Sequence, residues 1–393
     1  MRFWRVAGIL FLIGAEALLY GYSYPFFSLA LEKRELANWL IGLNASLAGV
    51  GILFFGHFLP QAIDRLGIGR LIGLFFFIPF LAFGAILLFD HVFVWFAARF
   101  VMGTCFSALW TTTEIWLNGE VDDRNRGRII AGSGTLYAIC QFLGPLALGL
   151  TGVEGSLPLV AAMVPLAVGA ILAVSIPSRP LAPHEAADEA AFEGVGNLRV
   201  AITLAGTILL VAFISGIGET AMQSLLPLYG TAHGLSDAAA SGLVATFALG
   251  EAVLVIGLGL LADRYGRRAV LIGATLVAIV STATLPFAMG RDLLLQPALF
   301  LAGGTIAGVY TLGIVLIGQD FRGQRLAIVS TGFGMSYSAG SVIGATPIGY
   351  LIDLFGVEAL PVAVAAGFIA LLAFLMRPAR ATAGTSDPFA AGK

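Results

Sequence analysis

Apolar residues run through this chain in long blocks separated by short charged punctuation. Residues 71–89, 155–178, 269–290 and 326–352 contain no charged side chain at all. Each block approaches or exceeds the ~20 residues that an α-helix needs to cross a bilayer. Read between charges, prolines and glycines, the pattern predicts twelve transmembrane helices. They cover about 6–31, 37–62, 69–89, 92–118, 127–152, 156–176, 200–230, 237–262, 268–290, 292–319, 325–352 and 358–376. A closed β-barrel is excluded, because its strands alternate apolar and polar over ~10 residues, whereas these runs are apolar all round. Arg2 and Arg5 precede the first block, which continues past the length of a signal-peptide core without a small-residue cleavage site. It reads as a retained helix.

Composition agrees: of 393 residues, 59% are hydrophobic and 11% charged, which rules out a soluble enzyme. The fold class expected is an all-α polytopic membrane protein. Its basic residues are sorted by side. Seventeen of the 21 lie at the N-terminus, in the even-numbered loops or at the C-terminus, against Lys33, Arg34 and Arg291 in the odd-numbered loops and Arg99 within a span. By the positive-inside rule both termini are cytoplasmic.

The chain also pairs with itself at an offset near 200. Asp64-Arg65-Leu66-Gly67 faces Asp263-Arg264-Tyr265-Gly266, Gly103 faces Gly303, Trp110 faces Tyr310, and Tyr137 with Gly144 faces Tyr337 with Gly344. Such internal repetition predicts two six-helix bundles, 1–176 and 200–376, joined by a polar cytoplasmic linker at 177–199 and followed by a tail at 377–393.

These residues resemble the major facilitator superfamily of secondary transporters over essentially the whole chain. The stretch GLGLLADRYGRR, 257–268, looks like the family's loop motif between the second and third helix of each half. PQAIDRLGIGR in the first half is a degraded copy that keeps Asp64, Arg65, Gly67 and Arg70. Arg99-x-x-x-Gly103 is similar to the family's second motif, and Gly144-Pro145 to the core of the motif associated with exporters. More narrowly, RFVMGTCFSALWTTTEIWLN with RNRGRIIA resembles the YcaD-like subgroup. The resemblance implies transport by alternating access in a bacterial inner membrane, with a functional monomer as the default.

The loop motif has its own physics. A carboxylate at a helix end can meet the positive N-terminus of a neighbouring helix, a contact of roughly 0.3 to 2 kcal/mol. Asp64 is expected to meet the start of helix 11 and Asp263 the start of helix 5, latching the cytoplasmic side when the cavity opens outward. Arg65, Arg70, Glu120, Arg126, Arg128, Arg264, Arg267 and Arg268 are assigned to the same gate; alternatively, these charges only set topology.

Ionisable groups inside spans are expensive and tend to mark a pathway. There are five: Glu16, Arg99, Glu114, Glu219 and Glu251. Glu16 shares a helix face with Tyr20, Ser23 and Tyr24, Glu219 with Ser215 and Gln223, and Glu114 with Ser107, Trp110, Thr111 and Asn118. Glu251 lies on an apolar face, either isolated or paired across helices. Removing a carboxylate from water disfavours its charged form, so Glu16 or Glu219, then Glu114 and Glu251, are the candidate proton carriers. Interhelical hydrogen bonds or a structural pair with Arg99 are the competing reading. Tyr20, Tyr24, Arg99, Trp110, Tyr137, Gln141, Gln223, Tyr310 and Tyr337 are the substrate-cavity candidates, though aromatic residues in spans also serve as packing or interface anchors.

Cys105 and Cys140 read as buried core residues, and His57, His91, His184 and His233 are too scattered for a zinc site. No metal, cofactor or nucleic-acid partner is expected. The partners are a small-molecule substrate, protons and the lipid bilayer. Three functions compete: proton-coupled export of an amphipathic or cationic compound, proton symport of a neutral polar solute such as a sugar or amino acid, and a transporter-like sensor or assembly factor without turnover.

Overall fold

The computed structural model describes residues 2–55, 59–89, 91–122, 125–177 and 195–377. Most of the expected linker and tail, 178–194 and 378–393, together with Arg124 and His57, lies outside the described residues. Among the described residues there are thirteen helices. They are α1 (Arg2–Glu32), α2 (Asn38–Phe55), α3 (Leu59–Leu66), α4 (Ile68–Leu88), α5 (Val92–Glu120), α6 (Arg126–Thr151), α7 (Leu157–Ser175), α8 (Val195–Ala232), α9 (Asp237–Tyr265), α10 (Arg267–Ala288), α11 (Asp292–Asp320), α12 (Gly323–Phe355) and α13 (Ala359–Leu375). Ten of them are long and apolar enough to cross a membrane, and α13 is a shorter apolar helix.

Two of the expected spans are described with other bounds. The second expected span, 37–62, is described as α2 and α3, with 56–58 between them outside the described residues. The seventh begins earlier than expected, at Val195, because a short helical segment precedes a break at Ala205, whose φ of −144° and ψ of 33° leave the helical region.

Helix packing repeats. α1 packs on α6, α2 on α5 and α4 on both α5 and α7; likewise α8 packs on α12, α9 on α11 and α10 on both α11 and α13. Glycines set the closest crossings. A Cβ on Gly103 would stand 2.1 Å from the Ala48 carbonyl oxygen, and one on Gly303 would stand 2.0 Å from that of Phe247. The same backbone contact thus occurs at corresponding places. The turn of the loop motif repeats too: Gly67 and Gly266 have φ of 77° and 90°, which L side chains rarely adopt.

α2 packs on α12 and α6 on α9, with α1 beside α8 along the centre. α4, α7, α10 and α13 turn outward large apolar side chains such as Phe77, Ile171, Val280 and Ile369. Surfaces of that kind belong against lipid rather than water.

The two ends of the molecule differ. At the arginine-rich end, Arg5 pairs with Glu120 at 3.4 Å, tying the start of α1 to the end of α5. Arg267 donates to Gln319 at 3.1 Å, and Arg268 to the Leu375 carbonyl at 3.1 Å, tying α10 to α11 and α13. At the opposite end the ties run between α1–α7 and α8–α13. Asp353, late in α12, accepts from the backbone N–H groups of Asn38 and Trp39 at 2.9 Å each and from the Asn38 side chain at 2.8 Å. Thr231 donates to Glu32 at 2.7 Å, and Lys33 lies 3.7 Å from Glu154 and 3.4 Å from Asp237. Gly42 and Gly349 touch backbone across the α2–α12 contact, whereas nothing lies within 4 Å of a Cβ on Gly127, Gly132, Gly134, Gly257 or Gly334. Among the described residues, these side-chain ties of Asp353, Thr231 and Lys33 between α1–α7 and α8–α13 lie at the arginine-poor end.

Candidate functional site

α1 and α8 carry the central acids. Glu16 is 1% exposed, fixed in the interior because α1 is apolar on every side and packs simultaneously on α5, α6, α7 and α8. Tyr137 of α6 donates its hydroxyl to Glu16 Oε1 at 3.5 Å, and the Tyr137 ring meets Trp110 of α5 edge-on at 4.4 Å. The second copy has the same parts. Tyr337 of α12 presents its hydroxyl to Glu219 of α8, and its ring lies 4.7 Å from Tyr310 of α11. Two acid–tyrosine–aromatic groups thus face the centre; their aromatic members correspond at an offset of 200, whereas Glu219 stands 203 residues after Glu16, about one helical turn beyond the matching position.

Glu251 is neither isolated nor matched with a cation. Gln141 of α6 donates to its Oε2 at 3.2 Å, which makes it a contact between the two sets of helices. Gln223 donates to Glu219 at 3.4 Å and also neighbours Glu251, so an amide bridges two carboxylates. These amides supply donors to carboxylates in the interior, where an unpartnered oxygen is costly. Glu16 Oε2 and Glu251 Oε1 are buried and accept from no protein donor. Glu114 is exposed on the stretch of α5 towards the arginine-rich end, near enough to Glu16 to interact through charge.

Tyr20 and Tyr24 of α1 lie on the other side of this centre. Their hydroxyls are 3.3 Å apart and their rings meet edge-on at 5.0 Å. The Arg99 guanidinium lies 4.1 Å from the centre of the Tyr24 ring, and Nη1 donates to Ser23 Oγ at 3.0 Å. The pairing of Arg99 with a carboxylate, raised by the sequence as an alternative, is not formed among the described residues. The arrangement offers carboxylates able to hold protons, amides and hydroxyls able to bind polar groups, and tyrosine faces able to cover an apolar or cationic body.

The gate residues sit differently from the rest. Asp64 and Asp263 are exposed, and no side-chain partner is seen for either among the described residues. Arg65 and Arg70 are exposed, and Arg264 lies over the Tyr265 ring at 5.4 Å. Glu120 is buried against Arg5, a partner the sequence did not suggest. The closure at the opposite end was missed as well. Asp353 ends an apolar run without periodicity, and Lys33 reads as an ordinary loop charge, so only three-dimensional proximity identifies them.

No group of three or more potential metal-ligating His, Cys, Asp or Glu side chains occurs among the described residues.

Comparison with known proteins identifies the architecture. The profile described as Major Facilitator Superfamily matches residues 6–235 and 208–392. The uncharacterized MFS-type transporter YfkF of Bacillus subtilis is 25% identical over 354 residues, covering 88% of each chain. The uncharacterized MFS-type transporter YcaD of Escherichia coli is 25% identical over 89% of each chain. Among solved structures, a point mutant of nucleoside transporter NupG aligns with a TM-score of 0.84 and 13% identity over 95% of this chain and 99% of its own. A D-xylose-proton symporter aligns with a TM-score of 0.70 and 14% identity over 95% and 97%. These last two similarities speak to the fold alone.

Proposed function

The chain belongs to the Major Facilitator Superfamily, an integral membrane transporter rather than an enzyme, and on that premise we propose that it is a proton-coupled secondary transporter of a small amphipathic organic solute. The observation that carries this reading is the pair of central acids, Glu16 and Glu219, each faced by a tyrosine from another helix. A carboxylate held this way can take a proton from the side to which the site is open and give it up after the molecule rocks. Glu251 and Glu114 extend the acidic path towards the arginine-rich mouth. The tyrosines and Trp110 cover the solute's apolar or cationic body, and Gln141 and Gln223 bind its polar groups.

In this reading the arginine-rich end is cytoplasmic, the membrane is the bacterial inner membrane, and residues 1–176 and 200–376 rock against each other as a functional monomer. Asp64 and Asp263 have no side-chain partner among the described residues, as expected if the cytoplasmic end is open; they meet the starts of α12 and α6 when that end closes. Export is the direction favoured by Gly144-Pro145. Gly144 lies against the α1 backbone at Leu18, Gly21 and Tyr22, so this step holds α6 directly on the helix that carries Glu16.

Uptake of a neutral polar solute by proton symport is the second reading, favoured by the fold shared with a nucleoside transporter and a D-xylose-proton symporter.

The test is reconstitution into vesicles with a pH-sensitive dye inside, screening chemically varied solutes for proton movement in wild type, Glu16→Gln, Glu219→Gln and Glu114→Gln. Solute-driven proton flux lost in Glu16→Gln or Glu219→Gln, with solute binding retained, is the expected result. The sign of the dye response separates antiport from symport. Solutes that bind yet move no protons in wild type refute the coupling.

A further inference from the structure

Arg99 of α5 is 2% exposed, and its surroundings leave its charge unmatched. The Ser23 hydroxyl and the faces of Tyr24 and Phe27, at 4.1 and 5.2 Å from the guanidinium, supply dipoles and ring quadrupoles. None of these is a counter-charge. Among the described residues no carboxylate lies within ion-pair distance, and Nε, itself buried, has no protein acceptor. Arg5, also on the inner side of the helices, does find a carboxylate in Glu120. A buried cation without a partner is costly unless something else neutralises it.

The space beside Arg99 suits such a partner. A cavity of about 90 Å³ lies between α1, α2, α5, α8 and α12, walled by Arg99, Tyr24 and the hydroxyl-bearing Ser107, Thr220, Ser338 and Ser341. Ser341 Oγ is buried there without a partner of its own. This is room for on the order of three waters, enough for one carboxylate but not for a whole organic solute. Tyr20 and Tyr337 belong to both this cavity and the surroundings of Glu219, so the remainder of a bound molecule has a path to the central acids.

We propose that Arg99 is the docking point for a single carboxylate on the transported solute. The planar guanidinium fork pairs with carboxylate oxygens, the hydroxyls take the remaining lone pairs, and one positive charge meets one negative charge. The rest of the solute lies across Tyr20 and Tyr337, and a protonated amine on it would face Glu219. The solute class is therefore a monocarboxylate or zwitterion with an apolar body. This inference deepens the transporter reading and rests on it.

The experiment uses the purified full chain in detergent and follows its thermal unfolding midpoint against acetate, benzoate and 3-phenylpropionate, with benzamide and benzylamine as ring-matched controls and chloride and phosphate as inorganic anions. The expected result is a rise in midpoint with benzoate or 3-phenylpropionate that benzamide does not give, and an apparent Kd at least about 30-fold weaker in Arg99→Gln. Arg99→Lys, which keeps the charge but not the fork, should retain part of the effect and covers the case in which Arg99→Gln does not fold. Without additives, Arg99→Gln should unfold at the wild-type temperature or above it, since it removes an unmatched buried charge. Three outcomes overturn the proposal: no carboxylate raises the wild-type midpoint, the rise is the same in Arg99→Gln, or chloride and phosphate reproduce it in full. Vesicle flux keeps the two ideas apart. Proton-coupled transport that survives in Arg99→Gln removes the docking role alone, whereas Arg99-dependent benzoate binding without any proton-coupled flux removes the coupling alone.

Discussion

Asp353 sits on the N-terminus of the helix that begins at Asn38, with one carboxylate oxygen 2.9 Å from the Asn38 amide and the other 2.9 Å from that of Trp39. The two residues belong to α12 and α2, one from each of the two repeated sets of helices. The first amides of a helix have no intrahelical acceptor and carry a partial positive charge, so a carboxylate there is held by hydrogen bonds and by the dipole together.

Asp353→Asn should loosen this closure and raise the population open at the arginine-poor end. Charge–dipole contacts of roughly 0.3 to 2 kcal/mol imply a shift of about twofold up to some thirtyfold. Distances between spin labels at the start of α2 and the end of α12 would lengthen in a larger fraction of molecules. An unchanged distribution would mean that backbone packing alone holds this end.

Asp263→Asn should act in the opposite sense. Asp263 is exposed in this conformation, so the substitution leaves thermal stability unchanged here. It removes the contact with the start of α6 proposed for Asp263 when the arginine-rich end closes. Labels on the ends of α6 and α9 should then report a larger splayed fraction and slower transport.

Lys33 gives the closed end a defined response to pH and salt. Its pKa is raised above the usual lysine value, chiefly by the charge of Asp237 beside it, with a smaller contribution from Glu154. A raised lysine pKa means that its attraction is complete below the ordinary value of about 10.4 and is lost only as pH climbs through the higher folded value. Between pH 6 and 9 the protonation of Lys33 should therefore not alter closure. Added salt should weaken it, because the Lys33 side chain is 44% exposed. Lys33→Gln should abolish that salt dependence in the same label-distance measurement.

Gly103→Ala and Gly303→Ala should each destabilise the fold by about 1 to 3 kcal/mol, because the new methyl would meet a backbone oxygen at 2.1 or 2.0 Å. Gly127→Ala has open space and should stabilise by up to about 1 kcal/mol through helix propensity. Thermal unfolding of the three variants in detergent compares them directly.

Much of this was legible in the chain because membrane spans are written in composition. Long apolar blocks set the helices, and a glutamate such as Glu16 or Glu219 stands out against them as it would not in a soluble core. Repeats such as Tyr137 and Tyr337 were visible because duplicated positions keep their residue type. Partnerships across helices were not. Gln141 and Glu251, or Asn38 and Asp353, meet through crossing angles and the conformation adopted, and periodicity along one helix carries no record of either. The unmatched state of Arg99 was hidden for the same reason, since a sequence shows which charges exist but not which ones meet. The break at Ala205 was not predicted even though Gly206 follows it, because a single glycine inside an apolar run is often carried by a continuous helix.

The two acid–tyrosine groups are alike in composition, but what surrounds them is not. Where the first set of helices carries Arg99, the position 200 residues on is Leu299, fully buried. A perfectly twofold chamber would accept an unsymmetrical molecule in either of two orientations and could not tell them apart. One cationic corner removes that degeneracy. Divergence between the repeats thus gives this chamber a head and a tail, and under the docking proposed for Arg99 a molecule with one charged end would be held in a single pose.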